Sequence, residues 1–203
     1  YIGSFFFTFS FDSEKKVCFF TMAAPINAGE VLNLVNLGIS GDHIKFGSCS
    51  MESDKFITVC ENVNGKGQIA IMDLQGGNKL TRQAISAEGA IMNPVSKVLA
   101  LKSGQNLQVY NLELQSKMKS HTMSAPVSFW RWVNNKTIAL VTAQSVFHWS
   151  IDGNNEPVKI FDRNALLGDN SQVINYRLSA DEKWCLLCGI SAGGSPGVIN
   201  GNM

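Results

Sequence analysis

Apolar and polar residues alternate in short runs along most of this chain. In one such run Leu107 and Val109 share one parity, while Gln108 and Tyr110 share the other. Side chains of a β-strand point alternately to its two faces, so this pattern predicts a strand with two distinct faces. One face is apolar, and the other carries an amide and a phenol close to lysines such as Lys117.

Strands of this kind recur with a period of roughly forty residues. In each repeat a lysine opens an apolar strand, at Lys55, Lys97, Lys136 and Lys183. A short apolar segment precedes three of these lysines, and in the first three repeats a turn leads to a second strand and then to a polar third strand. Pairs such as Asn64-Gly65 supply the positive φ that tight hairpins require. Four strands per repeat of this length predict an all-β chain that forms a β-propeller of four-stranded blades.

The number of repeats predicts an incomplete ring. Three blades and most of a fourth are present, whereas propellers close with about four to eight blades. We therefore interpret residues 22–203 as a partial propeller domain that is truncated in blade four. Residues 1–21 are an aromatic run broken by charges, which fits neither a secretory signal nor a membrane span. We expect them to be an unordered or extraneous leader.

Composition limits the kinds of partner and the cellular compartment that the sequence favours. The 203 residues include 45% hydrophobic residues, and 17 basic residues balance 16 acidic ones for a net charge of +1. This balance gives no electrostatic footprint for nucleic acid. Five scattered cysteines argue against a disulfide framework and for a reducing compartment. Cys185 and Cys188 match C-x-x-C, but on a strand they point to opposite faces, so we expect no metal site there.

Catalysis has little support in the sequence. The histidines fall in three different repeats without a nucleophile at a diagnostic spacing, at His43, His121 and His148. No glycine-rich loop follows a strand and opens a helix, as phosphate binding would require. We expect no enzymatic activity and no cofactor. The four tryptophans are expected to pack within blades, at Trp130, Trp132, Trp149 and Trp184.

Longer segments resemble one known family, the amino-terminal propeller of clathrin heavy chains. The resemblance runs from about Met22 to Met203 and is carried by segments such as MESDKFI, AISAEGAIMNPVSKVLALKSGQNLQVYNLELQSKMKSHTM, FWRWV, HWSIDGNNEPVKIFDR and INYR. It implies a seven-bladed ring, of which about three and a half blades are present. It also implies a cytoplasmic coat protein of clathrin-mediated intracellular transport and endocytosis, on the cytoplasmic face of coated pits and coated vesicles.

The resemblance also implies partners. The family's propeller binds short linear peptides of cargo adaptor proteins, including the clathrin-box type with alternating apolar residues and an acid. Membrane association would then be indirect, through the adaptors, and no nucleic acid is expected as a partner. In the family, trimerisation and light-chain binding belong to regions that we expect to be absent from this chain.

One family groove lies between the first two blades. Carried over by the resemblance, its lining is Leu99, Asn106, Gln108, Tyr110 and Lys117. Leu99 and Tyr110 would form apolar walls, while Gln108 would bind peptide backbone. Lys117 would pair with the acid. Gln83 and Gln115 stand where the family has basic residues, which predicts weaker recognition of acidic peptides.

A second family site lies at the top of the propeller and takes tryptophan-containing peptides. Its positions here are Phe46, Gln172 and Ile174. Without the resemblance, plainer interpretations stay open. Tyr110 would be an ordinary half-buried strand residue, Phe46 would be core packing, and Lys117 and Lys119 would form a solvated edge. The alternative function is a generic propeller scaffold that holds protein complexes without recognising linear peptides.

Overall fold

The computed structural model describes residues 29–168, 171–195 and 198–203. The chain divides into a short segment that ends at Asn33 and the body Leu34–Met203. The described residues of the first segment form no helix or strand. The predicted leader, residues 1–21, lies outside the described residues.

The body consists of four antiparallel sheets that follow one another along the chain. The first sheet contains β1 (Cys49–Ser50), β2 (Phe56–Val63), β3 (Lys66–Asp73) and β4 (Lys79–Gln83). The second contains β5 (Gly89–Met92), β6 (Val98–Ser103), β7 (Asn106–Asn111) and β8 (Ser116–Thr122). The third contains β9 (Phe129–Trp132), β10 (Thr137–Val141), β11 (Ser145–Ser150) and β12 (Val158–Asp162). Within the described residues the fourth contains β13 (Ser171–Leu178), β14 (Cys185–Ala192) and β15 (Ile199–Asn202).

Each sheet is a meander in which consecutive strands are hydrogen-bonded neighbours, the arrangement of a propeller blade. The all-β fold and the propeller arrangement predicted from the repeat are therefore confirmed. The hairpin between β2 and β3 illustrates how the turn sequence determines the local conformation. Asn64 and Gly65 adopt φ values of 53° and 77°, the left-handed conformation of a tight hairpin turn. Two short 3-10 helices complete the described elements, Gly41–His43 and Ala165–Leu167.

The hydrophobic core lies in the seams between neighbouring sheets. In the first seam, between the first and second sheets, Phe56 and Ile71 pack against Met92 and Leu99. The second seam joins the second and third sheets, and the third seam joins the third and fourth. Because strand side chains alternate, each inner sheet contributes one face to each of two seams. The seams are thus where the surface between blades is formed.

Side chains donate hydrogen bonds to backbone carbonyls across the first two seams. These bonds lie at the inner end of each seam, near the first strands of the sheets. The Thr58 hydroxyl donates to the Ala90 carbonyl across the first seam at 3.0 Å. Across the second seam the Trp132 indole N–H donates to the Ile91 carbonyl at 3.2 Å. A buried polar group destabilises the folded protein unless it has a hydrogen-bond partner. Neighbouring sheets are therefore held by specific bonds as well as by apolar contact.

The prediction for the tryptophans is wrong at one position. Trp132 and Trp149 are buried and Trp130 is half-buried, but Trp184 is 77% exposed just before β14. Leu186 on the same strand is also exposed. No other sheet of the described residues covers this face of the fourth sheet, so these side chains have nothing to pack against.

Candidate functional site

The register of the second sheet brings most of the predicted groove residues to one face. Leu99 on β6 lies opposite Tyr110 on β7, and Leu101 lies opposite Gln108. Asn106 follows the same parity at the end of β7. Leu99 and Tyr110 both belong to the cluster of the first seam. This face of the second sheet therefore turns toward the first sheet, as a groove between the first two blades would require.

The predicted residues differ in how much surface they offer. Leu99 is 0% exposed and lies at the base of the seam, so it supports the groove from below. Tyr110 is half-buried, whereas Gln108 and Asn106 are exposed. The Asn106 carboxamide oxygen accepts a hydrogen bond from the Thr122 hydroxyl at 2.8 Å. Gln108 is thus the amide best placed to contact a ligand.

The first seam opens outward into a cleft of about 300 Å³, here named the first-seam cleft. Its lining residues come from β2 to β5 and from the loops next to β6 and β7: Phe56, Ile71, Asp73, Lys79, Thr81, Gln83, Met92, Lys97, Leu112 and Glu113. The floor is apolar, and the rim carries two lysines and two carboxylates. Of the predicted groove residues, Gln83 lines this cleft directly.

Apart from Gln83, the side chains that line this cleft were missed by the sequence interpretation. Thr81 and Gln83 are two residues apart on β4, so alternation places them on the same face. Leu112 and Glu113 follow β7 directly and close the other side of the cleft. Because Gln83 was already a predicted groove residue, the alternation of side chains along β4 could have predicted Thr81 as well. The loop residues carried no comparable signal.

The remaining groove residues lie on the outer part of the second sheet. Lys117 on β8 pairs with Tyr110 across the sheet and is exposed. Gln115, also exposed, lies in the hairpin between β7 and β8 with a φ of 49°. The two glutamines that replace family cations are therefore on different elements, with Gln83 on β4 of the first sheet and Gln115 in this hairpin.

The plain interpretation of the lysine pair is wrong for Lys119. Lys117 is exposed, but Lys119 is 8% exposed and buried in the second seam. Met118 lies in a bulge of the β7–β8 pairing, where the register shifts between Val109 and Tyr110. Lys119 pairs with Val109, whose face turns toward the third sheet. The Lys119 ammonium group donates hydrogen bonds to backbone carbonyls there, and these bonds offset the cost of burying the charge.

The second predicted site borders a larger cleft where the first strands of all four sheets meet, here named the inner cleft. It has a volume of about 820 Å³, and its lining includes Phe46, Trp130 and Ile174. Phe46 is 70% exposed and Ile174 is 41% exposed, so both side chains are accessible to a ligand. Gln172 instead borders a separate shallow depression beside Ile190. The structure thus brings Phe46 and Ile174 to one cleft and leaves Gln172 outside it.

The charges that line the inner cleft are largely paired. The Glu52 carboxylate accepts a hydrogen bond from the Trp132 backbone N–H at 3.1 Å and lies 3.8 Å from the Arg131 guanidinium. Arg131 also donates to the Asn175 side chain at 2.8 Å. Burial raises the pKa of Glu52, and the nearby Arg131 and Arg177 oppose this shift. The free surface of the cleft is therefore its apolar part, at Phe46 and Ile174.

His148, His121 and Cys60 occupy packing positions. His148 Nε2 and the Tyr176 hydroxyl are hydrogen-bonded at 2.9 Å, and burial lowers the pKa of His148. His121 packs against the Trp149 ring. Burial raises the pKa of the Cys60 thiol to about 11, which makes it a poor nucleophile. Within residues 29–168, 171–195 and 198–203, no three side chains of His, Cys, Asp or Glu form a group that could hold a metal ion.

Among the described residues no helix is long and apolar enough to cross a membrane. No family model matches the chain. Individual proteins nevertheless show high sequence identity to the chain. The clathrin heavy chain of Drosophila melanogaster is 50% identical over 172 residues, which cover 85% of this chain and 10% of the relative.

Over most of its length this chain is a homologue of the clathrin heavy chain. Clathrin heavy chain 2 of Homo sapiens is 50% identical over 169 residues, and clathrin heavy chain 1 of Arabidopsis thaliana is 44% identical over 188 residues. These matches cover 83% and 89% of the chain. The chain spans about a tenth of the length of the clathrin heavy chains it matches.

Solved structures offer more distant similarity. The Cps50 (Swd1) β-propeller domain of Myceliophteria thermophila has a TM-score of 0.49 and 13% identity, over 70% of this chain and 49% of that domain. The hydrazine synthase of Kuenenia stuttgartiensis has a TM-score of 0.46 and 14% identity, over 72% of this chain and 45% of that protein.

Proposed function

We propose that the protein is a clathrin-type vesicle-coat propeller that binds short extended peptides of adaptor proteins in the first-seam cleft. Homology to clathrin heavy chains supports the coat role. The observation that carries peptide binding is the open, apolar-floored cleft between the first and second sheets. As part of the same proposal, the protein acts on the cytoplasmic face of coated pits and vesicles and reaches membranes through the adaptors.

The shape and chemistry of the cleft favour an extended peptide with alternating apolar residues. In an extended chain, side chains two residues apart point the same way, so alternate residues can enter one cleft. Phe56, Ile71 and Met92 provide the apolar floor for them. Lys79 and Lys97 on the rim supply positive charge for an acidic side chain, although Asp73 and Glu113 reduce the local field.

Gln108 and Tyr110 extend this surface on the second sheet. The exposed Gln108 amide can donate to and accept from a peptide backbone. Tyr110 is half-buried and packs on the same apolar cluster that forms the cleft floor. Together they offer a polar contact beside an apolar wall, the combination by which many domains bind linear motifs.

The test is titration of the protein with a labelled clathrin-box-type peptide and its scrambled control. The parent should bind the first peptide and not the second. The Gln108→Ala, Tyr110→Ala double variant should lose about 2–4 kcal/mol of binding, from one hydrogen bond and much of an aromatic contact. Tyr110→Phe retains the ring and should keep most of the affinity, and Ile160→Ala on β12 is the remote control. Equal binding of both peptides by the parent would favour the generic scaffold instead.

Charge provides an independent check on the same site. Gln83→Lys and Gln115→Lys together should tighten binding of the acidic peptide several-fold, because both positions flank the proposed groove. The gain should shrink as salt is raised, since exposed charges are screened within about 10 Å at 0.1 M. An affinity that does not change with either substitution or salt would place the acid elsewhere.

The inner cleft supports a second peptide site of different specificity. Exposed Phe46 and Ile174 would hold an aromatic side chain, with the Gln172 amide acting from outside the cleft wall. Phe46→Ala should weaken binding of a tryptophan-containing peptide and leave the clathrin-box-type peptide unaffected. A loss of both would mean that the substitution disturbs the fold rather than one site.

A further inference from the structure

The first and second seams have similar construction but differ at one side chain of the outer strand, which in the second sheet follows the bulge at Met118. In the first sheet Thr81 on β4 lies opposite Ile71 on β3. In the second sheet Lys119 on β8 lies opposite Val109 on β7. Both residues face the seam that follows their sheet, since Thr81 lines the first-seam cleft and Lys119 contacts the third sheet. Thr81 and Lys119 are therefore equivalent positions in successive blades.

Lys119 fills its seam with a dense set of contacts. Its ammonium group donates to the backbone carbonyls of Ser150, Gly153 and Asn155 at 2.8, 3.3 and 3.0 Å. It also lies 5.3 Å from the centroid of the Trp149 ring. Three carbonyls and an aromatic face satisfy a primary ammonium group completely. The outer end of the second seam is thereby occupied by a side chain of the protein itself.

The surroundings of Thr81 match those of Lys119 element by element. Tyr110 lies opposite Leu99 in the second sheet, as Trp149 lies opposite Ile138 in the third. The loop after β7 borders the first-seam cleft through Leu112 and Glu113. The equivalent loop after β11 supplies the carbonyls that bind Lys119. The first seam thus has the aromatic ring and the loop, but a threonine in place of the lysine.

We infer that Lys119 is a built-in occupant that closes the second seam, and that Thr81 leaves the first seam open for a peptide. The side chain at this register position then determines which of the first two seams is a binding site. This selection of seams rests on the proposed function, whereas the closure by Lys119 does not. The third seam has Val158 at the corresponding position, opposite His148. A valine is too short to reach the opposite loop, so it does not close a seam in the way that Lys119 does.

The first experiment transfers the lysine to the open seam. Thr81→Lys should direct its ammonium group at the loop after β7 and weaken binding of the clathrin-box-type peptide at least tenfold, with an unchanged or higher melting temperature. Thr81→Val keeps the size of the side chain and should bind like the parent. Gln144→Lys adds the same charge at an exposed loop of the third sheet and should also bind like the parent.

Three results would overturn the role of Thr81. Thr81→Lys could bind the peptide as tightly as the parent, or more tightly with strong salt dependence, which would mean that the lysine points to solvent. It could also fail to fold, which would mean that the first seam does not accept a lysine. A parent that binds the peptide no better than its scrambled control would instead refute the proposed function.

The second experiment tests the closure without any peptide. Lys119→Ala removes the part of the side chain that n-propylammonium reproduces. Adding n-propylammonium chloride should raise the melting temperature of Lys119→Ala and leave that of the parent unchanged. Tetramethylammonium chloride, which has no N–H donors, should have no such effect. If Lys119→Ala is unfolded, recovery of a cooperative transition with n-propylammonium is the expected result, and its absence in either case overturns the closure.

Discussion

The first and second seams are built from the same parts and end differently. At their inner ends both are tied by a side chain that donates to a β5 carbonyl, Thr58 in the first seam and Trp132 in the second. At their outer ends the first seam opens into a cleft of about 300 Å³, while the second is filled by Lys119. The two outer ends therefore differ in one side chain, Thr81 or Lys119, and in the bulge at Met118, which has no counterpart in β4.

The largest expected effect comes from removing the charge that closes the second seam. Lys119→Met keeps the length of the side chain but removes the ammonium donor from the Ser150 and Gly153 carbonyls, whereas the Asn155 carbonyl keeps the Trp149 indole N–H at 3.2 Å. Buried acceptors left unpaired should cost about 2–4 kcal/mol of the free energy of unfolding. Lys117→Met, two residues away on the exposed face of β8, is the matched control and should change it by less than about 0.5 kcal/mol. Chemical denaturation measures both, and equal losses would show that Lys119 is not special.

A smaller effect is expected at the inner end of the first seam. Thr58→Val is nearly isosteric and removes the hydroxyl that donates to Ala90. The loss should be about 0.5–1.5 kcal/mol, because one hydrogen bond is removed while the Ala90 carbonyl keeps the Ser50 hydroxyl as a donor at 2.7 Å. Thr81→Val makes the same chemical change at the open outer end and should be close to neutral. If Thr81→Val proves as costly as Thr58→Val, the outer end of the first seam is not open in solution.

The third seam should make the stability of the folded protein depend on pH, and this is the smallest of the three expected effects. Burial holds the pKa of His148 below its ordinary value of 6.5, while Glu182 opposes this shift and the Tyr176 hydroxyl is its hydrogen-bond partner. The unfolded chain therefore binds a proton more readily than the folded protein as pH falls through 6.5, so stability decreases from pH 7 toward pH 5. His148→Gln should flatten this part of the stability profile. A profile that is unchanged by His148→Gln would assign the slope to other groups.

Much of the fold was predictable because strand periodicity and turn chemistry are local. The lysine-led repeats marked β2, β6, β10 and β14, and the turn at Asn64 and Gly65 marked the hairpin between β2 and β3. The exposure of Trp184 was not predictable in the same way. Burial of a strand residue depends on whether another sheet covers its face, and no local pattern around Trp184 carries that information.

The site was less predictable because it depends on register between elements. The resemblance indicated Gln108 and Tyr110, and strand alternation explains why they share a face with Leu99. The bulge at Met118 shifts the register of β8, so the alternation of Lys117 and Lys119 alone does not show which lysine is buried. The acceptors of Lys119 come from a loop more than thirty residues later. A side chain with a distant backbone partner leaves no pattern in its own strand.

The contact between Glu52 and Trp132 has a consequence for the order of folding. The two residues are 80 apart in sequence, and the whole second sheet lies between them. Closing such a long loop costs conformational entropy, and the cost is smaller once the intervening sheet has formed. The bond should therefore form late, after the transition state, and act mainly as a brake on unfolding. A contact of this kind lengthens the lifetime of the folded propeller without slowing its formation.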